Sequence, residues 1–258
     1  MNLKLIACNV FLREACLCVG RSPHVFDIEF LELGVHVRPD ILREKIQEAI
    51  DRCEASPRPY DAVVLLFGLC GNAGVGLRAR SIPLVMPRAH DCCTVLLGDK
   101  RRFEELFGDA PSTPFSSAGY MERGDYFIRV EEGEYKVHYG DAYAEMVAQY
   151  GEENARYIWD TMHPPGLEDG SKQAVFIALE ELAHLDHEQR FGEQADDEGV
   201  SYRRVEGDLR LIAKLIAGEW DPDDFLVVQP GECTQGVYDF GEIIRAVPCA
   251  DLADEEPT

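Results

Sequence analysis

Four short apolar runs, three of them followed by a stretch of helical periodicity, constrain this chain more than any other feature. "LKLIACNV" (3–10), "FDIEFLEL" (26–33), "YDAVVLLFG" (60–68) and "IPLVMP" (82–87) read as strands. Between or after them lie "FLREACLCVG", "PDILREKIQEAIDRC" and "DCCTVLLGDKRRFEELFG", all helical, the second opened by Pro39, a favoured first-turn residue. Strand–helix alternation predicts an α/β fold: a mostly parallel, twisted sheet with helices on both faces. "APSTPFSSAG" (110–119) reads as loop, "DYFIRVEEGEYKVHYG" as two strands, and "DAYAEMVAQYGEENARYIWDTM" as a helix, together a mixed insertion near 110–165.

The order then repeats. "QAVFIAL" (173–179) is a strand, "EELAHLDHEQRF" a helix, "VSYRRVEG" a strand, "DLRLIAKLIAGEW" a helix capped by Asp208 and stopped at Gly218, and "DFLVVQPGEC" (224–233) a final strand. The expected organisation is a single domain over 1–250 followed by an acidic tail, 251–258. The similar order of 1–110 and 165–245 is either a degenerate duplication or simply how α/β strands end.

Of 258 residues, 46% are hydrophobic, enough for a substantial core, and the formal net charge is −23. Such a surface repels phosphate backbones and anionic lipid, so neither nucleic acid nor membrane is an expected partner. No run approaches the ~18 apolar residues of a membrane span, and "MNLKLIACNV" does not read as a secretory signal. Nine cysteines without a signal point to reduced thiols and a cytoplasmic location, and the odd count excludes a complete disulfide framework within one chain.

Ligands of open parallel sheets bind beyond the carboxyl ends of the strands. Strand one delivers Cys8 there, strand three Cys70, strand four His90, Asp91, Cys92 and Cys93, and the last strand Cys233. Thiolate and imidazole are ligands for zinc or iron, and thiolates hold iron–sulfur clusters. The expected metal set is Cys8, Cys70, His90, Cys92 and Cys233. Asp91 would orient His90 or ligate directly, and Arg88 would bind an anionic group. Cys16, Cys18, Cys53 and Cys249 read as small core hydrophobes, and Cys93 is expected to point away from Cys92.

Two competing motifs are weaker. "GNAGVGL" (71–77) lacks the lysine and serine of a phosphate loop and the spacing of a dinucleotide fingerprint, so it reads as a tight turn. "HLDHEQR" (184–190) places His184 and His187 a helical turn apart, which an exposed polar face explains. His163 stands alone before "PPG".

"IACNVFLREA", "LFGLCGN", "PLVMPRAHDCCTVLLG", "YGEENARYIWDT" and "EGDLRLIAKLIAGEWDPDDFLVVQPGE" resemble, in this order from about residue 3 to about residue 240, the bacterial and archaeal family catalogued as domain of unknown function 1638. "GLCGN" and "PRAHDC" carry the resemblance. It puts Cys8, Cys70, Asn72, Arg88, His90, Asp91 and Cys92 at motif positions, with Asn72, Arg88 and Asp91 toward a cofactor. Members often occur near corrinoid-dependent methyltransferase systems. The resemblance therefore implies one-carbon metabolism, with a corrinoid or a corrinoid protein among the cofactors and partners to consider beside a small-molecule substrate. The expectation is a metal ion or metallocofactor held by Cys and His at the sheet's carboxyl edge. The alternatives are a non-catalytic accessory of corrinoid methyltransferases, and a metal-free enzyme in which Cys70 or Cys92 attacks with His90 as base.

Overall fold

The computed structural model describes residues 1–32, 39–108, 110, 113–123, 173–197, 199–237 and 241–251. The strands and helix expected over 125–162, His163 and the end of the acidic tail lie outside the described residues.

The chain is mixed α/β, as its alternation predicts. Strands β1 (Asn2–Cys8), β2 (Val25–Leu31), β3 (Ala62–Leu66), β4 (Leu84–Pro87) and β8 (Phe225–Val228) form a five-stranded sheet in the order β2-β1-β3-β4-β8. The first four are parallel, with Leu5 of β1 opposite both Ile28 and Val64. β3 (AVVLL) is buried at every position, which is why it reads as a continuous apolar run rather than an alternation. Helix α1 (Leu12–Val19) carries the crossover outward from β1 to β2, and α2 (Pro39–Cys53) the return to β3. Right-handed crossovers in opposite directions place these helices on opposite faces.

β8 enters the sheet against β4 in the antiparallel sense, pairing Pro87 with Phe225 and Leu84 with Val228. The expected final strand is in fact two, because β9 (Glu232–Gly236) leaves the sheet and pairs with β10 (Ile244–Pro248) as an antiparallel ribbon.

The predicted helix over 91–108 is broken at Gly98, in the left-handed conformation that ends α3 (Cys92–Leu97); Asp99 then caps α4 (Lys100–Phe107) by accepting from the amide of Arg101. The stretch expected as loop at 110–119 contains a strand. β5 (Phe115–Ser117) runs parallel to β6 (Gln173–Ala178), which is parallel to β7 (Ser201–Glu206), so a second, three-stranded parallel sheet lies beside the first. Helix α5 (Ala118–Arg123) follows β5, α6 (His187–Asp197) precedes β7, and α7 (Arg210–Ala217) packs on α1.

One buried cluster takes side chains from both sheets, including Leu5, Val64 and Leu84 from the first and Val175, Ile177 and Val205 from the second. Each such side chain contributes roughly 1.5–3 kcal/mol by leaving water. Among the described residues, no helix is long and apolar enough to cross a membrane.

Candidate functional site: a three-thiol cluster between two sheet edges

The carboxyl ends of β1, β3 and β4 are adjacent in the first sheet, and the segment following each one brings a cysteine. Cys8 is the last residue of β1 and is buried. After β3 the chain turns through Cys70, Gly71 and Asn72, at φ 46°, 64° and 73°. Three successive left-handed residues, two of them with side chains, cost about 1–2 kcal/mol per side-chain-bearing residue. Strain of this kind persists only where surrounding contacts enforce it. Those contacts come from the segment after β4: Leu69 and Cys70 donate their amides to the carbonyls of Ala89 and His90, at 2.9 and 3.0 Å. Gly68 lets the two segments meet, since a Cβ there would fall 2.5 Å from the Cα of Asp91. The glycine-rich stretch thus builds a turn, as its spacing suggests, and the turn's purpose is to aim Cys70.

Cys92 opens α3. Its sulfur lies 3.9 Å from that of Cys70, within hydrogen-bonding range for sulfur, and it is also in hydrogen-bond contact with Cys8. The Cys92 thiol is the one that stays protonated: its contacts with Cys70 and Cys8, and then burial, push it well above the ordinary thiol range. The Cys92 S–H in turn holds the Cys8 thiol below its ordinary value, against the opposite pull of burial.

The second sheet contributes a residue that the sequence did not disclose. α5 packs on the 3-10 turn Asn9–Phe11 that follows β1, and the buried Tyr120 of α5 lies within electrostatic range of the sulfurs. Burial raises the Tyr120 phenol far above its usual range, and charge on Cys92, Cys8, Cys70 and Asp91 raises it further. The thiols therefore sit between the carboxyl edges of two parallel sheets. Only knowledge that β5 pairs with β6 could have put Tyr120 there.

The other expected site residues do different work. Asp91 caps α3, its Oδ1 accepting from the amide and hydroxyl of Thr94 at 2.9 and 3.1 Å. Burial raises its carboxyl pKa, opposed by those bonds. His90 rests its ring against Phe103, centroids 5.8 Å apart. The Arg88 guanidinium donates to the backbone carbonyls of Pro222, Glu242 and Ile244, clamping the strand end to the C-terminal segments; three of its donors are spent on the fold rather than on an anion. Asn72 is exposed, and its carbonyl accepts from Arg43. Cys93 is buried, and burial raises its thiol pKa.

Cys233 is not with the thiols. Because β8 runs antiparallel, its end meets the start of β4 rather than the thiol-bearing strand ends, and Cys233, in the ribbon strand that follows, bridges Arg78 and is disulfide-bonded to Cys249. A disulfide sulfur has no thiolate to offer a metal, so Cys233 leaves the expected ligand set and Cys249 is no core hydrophobe. Cys16 also departs from expectation, being exposed, whereas Cys18 and Cys53 are buried. His184 is exposed and precedes α6, whereas His187 is buried within it and bonded through Nε2 to Glu122 at 3.0 Å. The two histidines do not form a pair.

A profile of the protein family of unknown function DUF1638 matches residues 30–216, well over half the chain. The chain belongs to the DUF1638 family. Within the DUF1638 match fall Cys70, Cys92 and Tyr120, while Cys8 precedes it and Cys233 follows it. No curated protein sequence and no solved structure matches the chain. Among the described residues, no three Cys, His, Asp or Glu side chains stand ready to enclose a metal ion. For this DUF1638 chain the expected grouping of His90 with Cys70 and Cys92 is therefore not preformed, whereas the two sulfurs themselves are neighbours.

Proposed function

We propose that Cys8, Cys70 and Cys92 bind a soft metal ion or small metal centre between the two sheet edges, with Tyr120 beside it. The observation that carries this reading is the 3.9 Å separation of the Cys70 and Cys92 sulfurs. Two thiolates on one tetrahedral ion, with bonds of about 2.3 Å, lie roughly 3.8 Å apart. Charge supports it as well. Cys70 and Cys8 are what raise the Cys92 thiol most, and charge on the three thiols adds to burial in raising Tyr120. A bound cation is what would let several thiolates coexist, releasing their protons as it enters. Because no three ligands are preset, binding calls for a side-chain rotation at Cys8 or Cys70. Such an ion would supply Lewis-acid activation of a thiol or water at an open position, which suits the one-carbon setting that the family resemblance implies.

A second reading is favoured by the unequal acidities. A Cys8 thiol held low by a neighbouring S–H donor is the arrangement of a nucleophile with its support. It differs from the expectation in making Cys8, not Cys70 or Cys92, the attacking group. Elemental analysis of anaerobically purified protein, followed by cobalt(II) titration with detection of thiolate-to-cobalt charge transfer, separates the two. Stoichiometric metal and a charge-transfer band are expected. A chain that takes up neither zinc nor cobalt, and in which Cys8 is alkylated first, would establish the second reading instead.

A further inference from the structure

We infer that Cys70 and Cys92 are a reversible dithiol–disulfide couple, a modification site that closes the thiol cluster when a peroxide reaches it. The inference rests on the same cluster as the proposed function, but bond formation itself needs no metal.

The two sulfurs are in contact at 3.9 Å and must approach to about 2.05 Å. The backbones that carry them are already pinned together by the amide bonds from Leu69 to Ala89 and from Cys70 to His90. Closure is therefore a matter of side-chain rotation. Access picks the order of events. Cys70 is half-buried, whereas Cys8 and Cys92 are only 6% and 5% exposed. A small oxidant therefore meets Cys70 first. The Cys70 sulfur attacks the peroxide, breaking its O–O bond; an S–O bond forms, and the other oxygen leaves as water with the thiol proton. The Cys92 sulfur then displaces hydroxide from the sulfenic acid, and that hydroxide carries off the Cys92 proton as a second water. Two thiols lose two electrons in total, and one peroxide becomes two waters. The product removes two of the three sulfurs of the proposed metal site, so oxidation and metal occupancy exclude each other.

The test uses the full chain, purified anaerobically without reductant so that Cys233–Cys249 stays closed, then stripped with a chelator, exposed to hydrogen peroxide, quenched, alkylated in denaturant and mapped by mass spectrometry. Seven cysteines are free in the structure. Two of them should be lost, leaving five, with a Cys70–Cys92 cross-linked peptide that dithiothreitol reverses. Cys70→Ser should abolish the cross-link, whereas Cys16→Ser should leave it intact. Three results would overturn the inference: a cross-link through Cys8, Cys70 carried to sulfinic acid with Cys92 still free, or seven thiols surviving. A parallel metal-loaded sample should release one ion per cross-link. If the chain binds no metal, only the proposed function fails, because the stripped sample still reports the disulfide.

Discussion

Gly119 lies so close to Val10 that a Cβ built on it would fall 1.7 Å from the Val10 carbonyl oxygen. This is the seam between the two sheets, since Val10 follows β1 and Gly119 follows β5. Backbone cannot yield as a flexible side chain can. Gly119→Ala should therefore lift α5, and Tyr120 with it, away from the thiols. A loss of about 3–5 kcal/mol, at the severe end for one substitution, is expected in urea unfolding. A change under 1 kcal/mol would mean that the seam is loose.

Serine replaces cysteine with little change of volume but ligates soft metals poorly. Cys8→Ser, Cys70→Ser and Cys92→Ser should each lose metal while changing stability by no more than about 1–2 kcal/mol. Cys53→Ser, whose thiol donates to the Ala49 carbonyl within α2, should keep it. Equal metal content in all four variants would reduce the cluster to packing.

Glu14 of α1 is fully buried, no other described residue gives its carboxyl oxygens a hydrogen bond, and desolvation raises its pKa from 4.5 to about 7. The folded chain thus holds this proton more tightly than the unfolded one. Stability should fall as pH rises from the unfolded value through the folded one, by about 3 kcal/mol in all. Glu14→Gln should flatten melting temperature between pH 5 and 8 and exceed the parent at pH 8. Identical pH profiles for variant and parent would show that the carboxyl finds a partner in solution.

The disulfide encloses a short loop, with its cysteines 16 residues apart. Closing a loop of this size stabilises by about 3 kcal/mol in the chain-entropy account. Cys249→Ser should cost that much in non-reducing buffer and almost nothing once the parent is reduced. No difference in either buffer would show that the bond does not form.

Strands that are buried on both faces announce themselves, which is why β1, β3 and β4, and the cysteines at their ends, were legible. β5 was not, because "FSS" has neither apolar continuity nor alternation, and it is a strand only by virtue of its pairing with Val175, Phe176 and Ile177. Tyr120 was hidden with it. Cys233 went astray for a different reason: a hydrophobic run gives a strand's extent and its faces, but not its direction beside a neighbour. Likewise "PRAHDC" displayed the right residue types, but its arginine finds three backbone carbonyls more than a hundred residues away, contacts that no local pattern encodes.

The reversal of β8 also segregates the sulfur of this chain. Had that strand run with the others, Cys233 would have emerged beside Cys8, Cys70 and Cys92, and thiol–disulfide exchange would scramble staple and site together. Running backward, it hands Cys233 to the ribbon strand β9, where it is fully buried, bridged to Arg78 and bonded to Cys249. One molecule thus carries a buried cross-link in its ribbon while the cysteines at its parallel strand ends are free thiols.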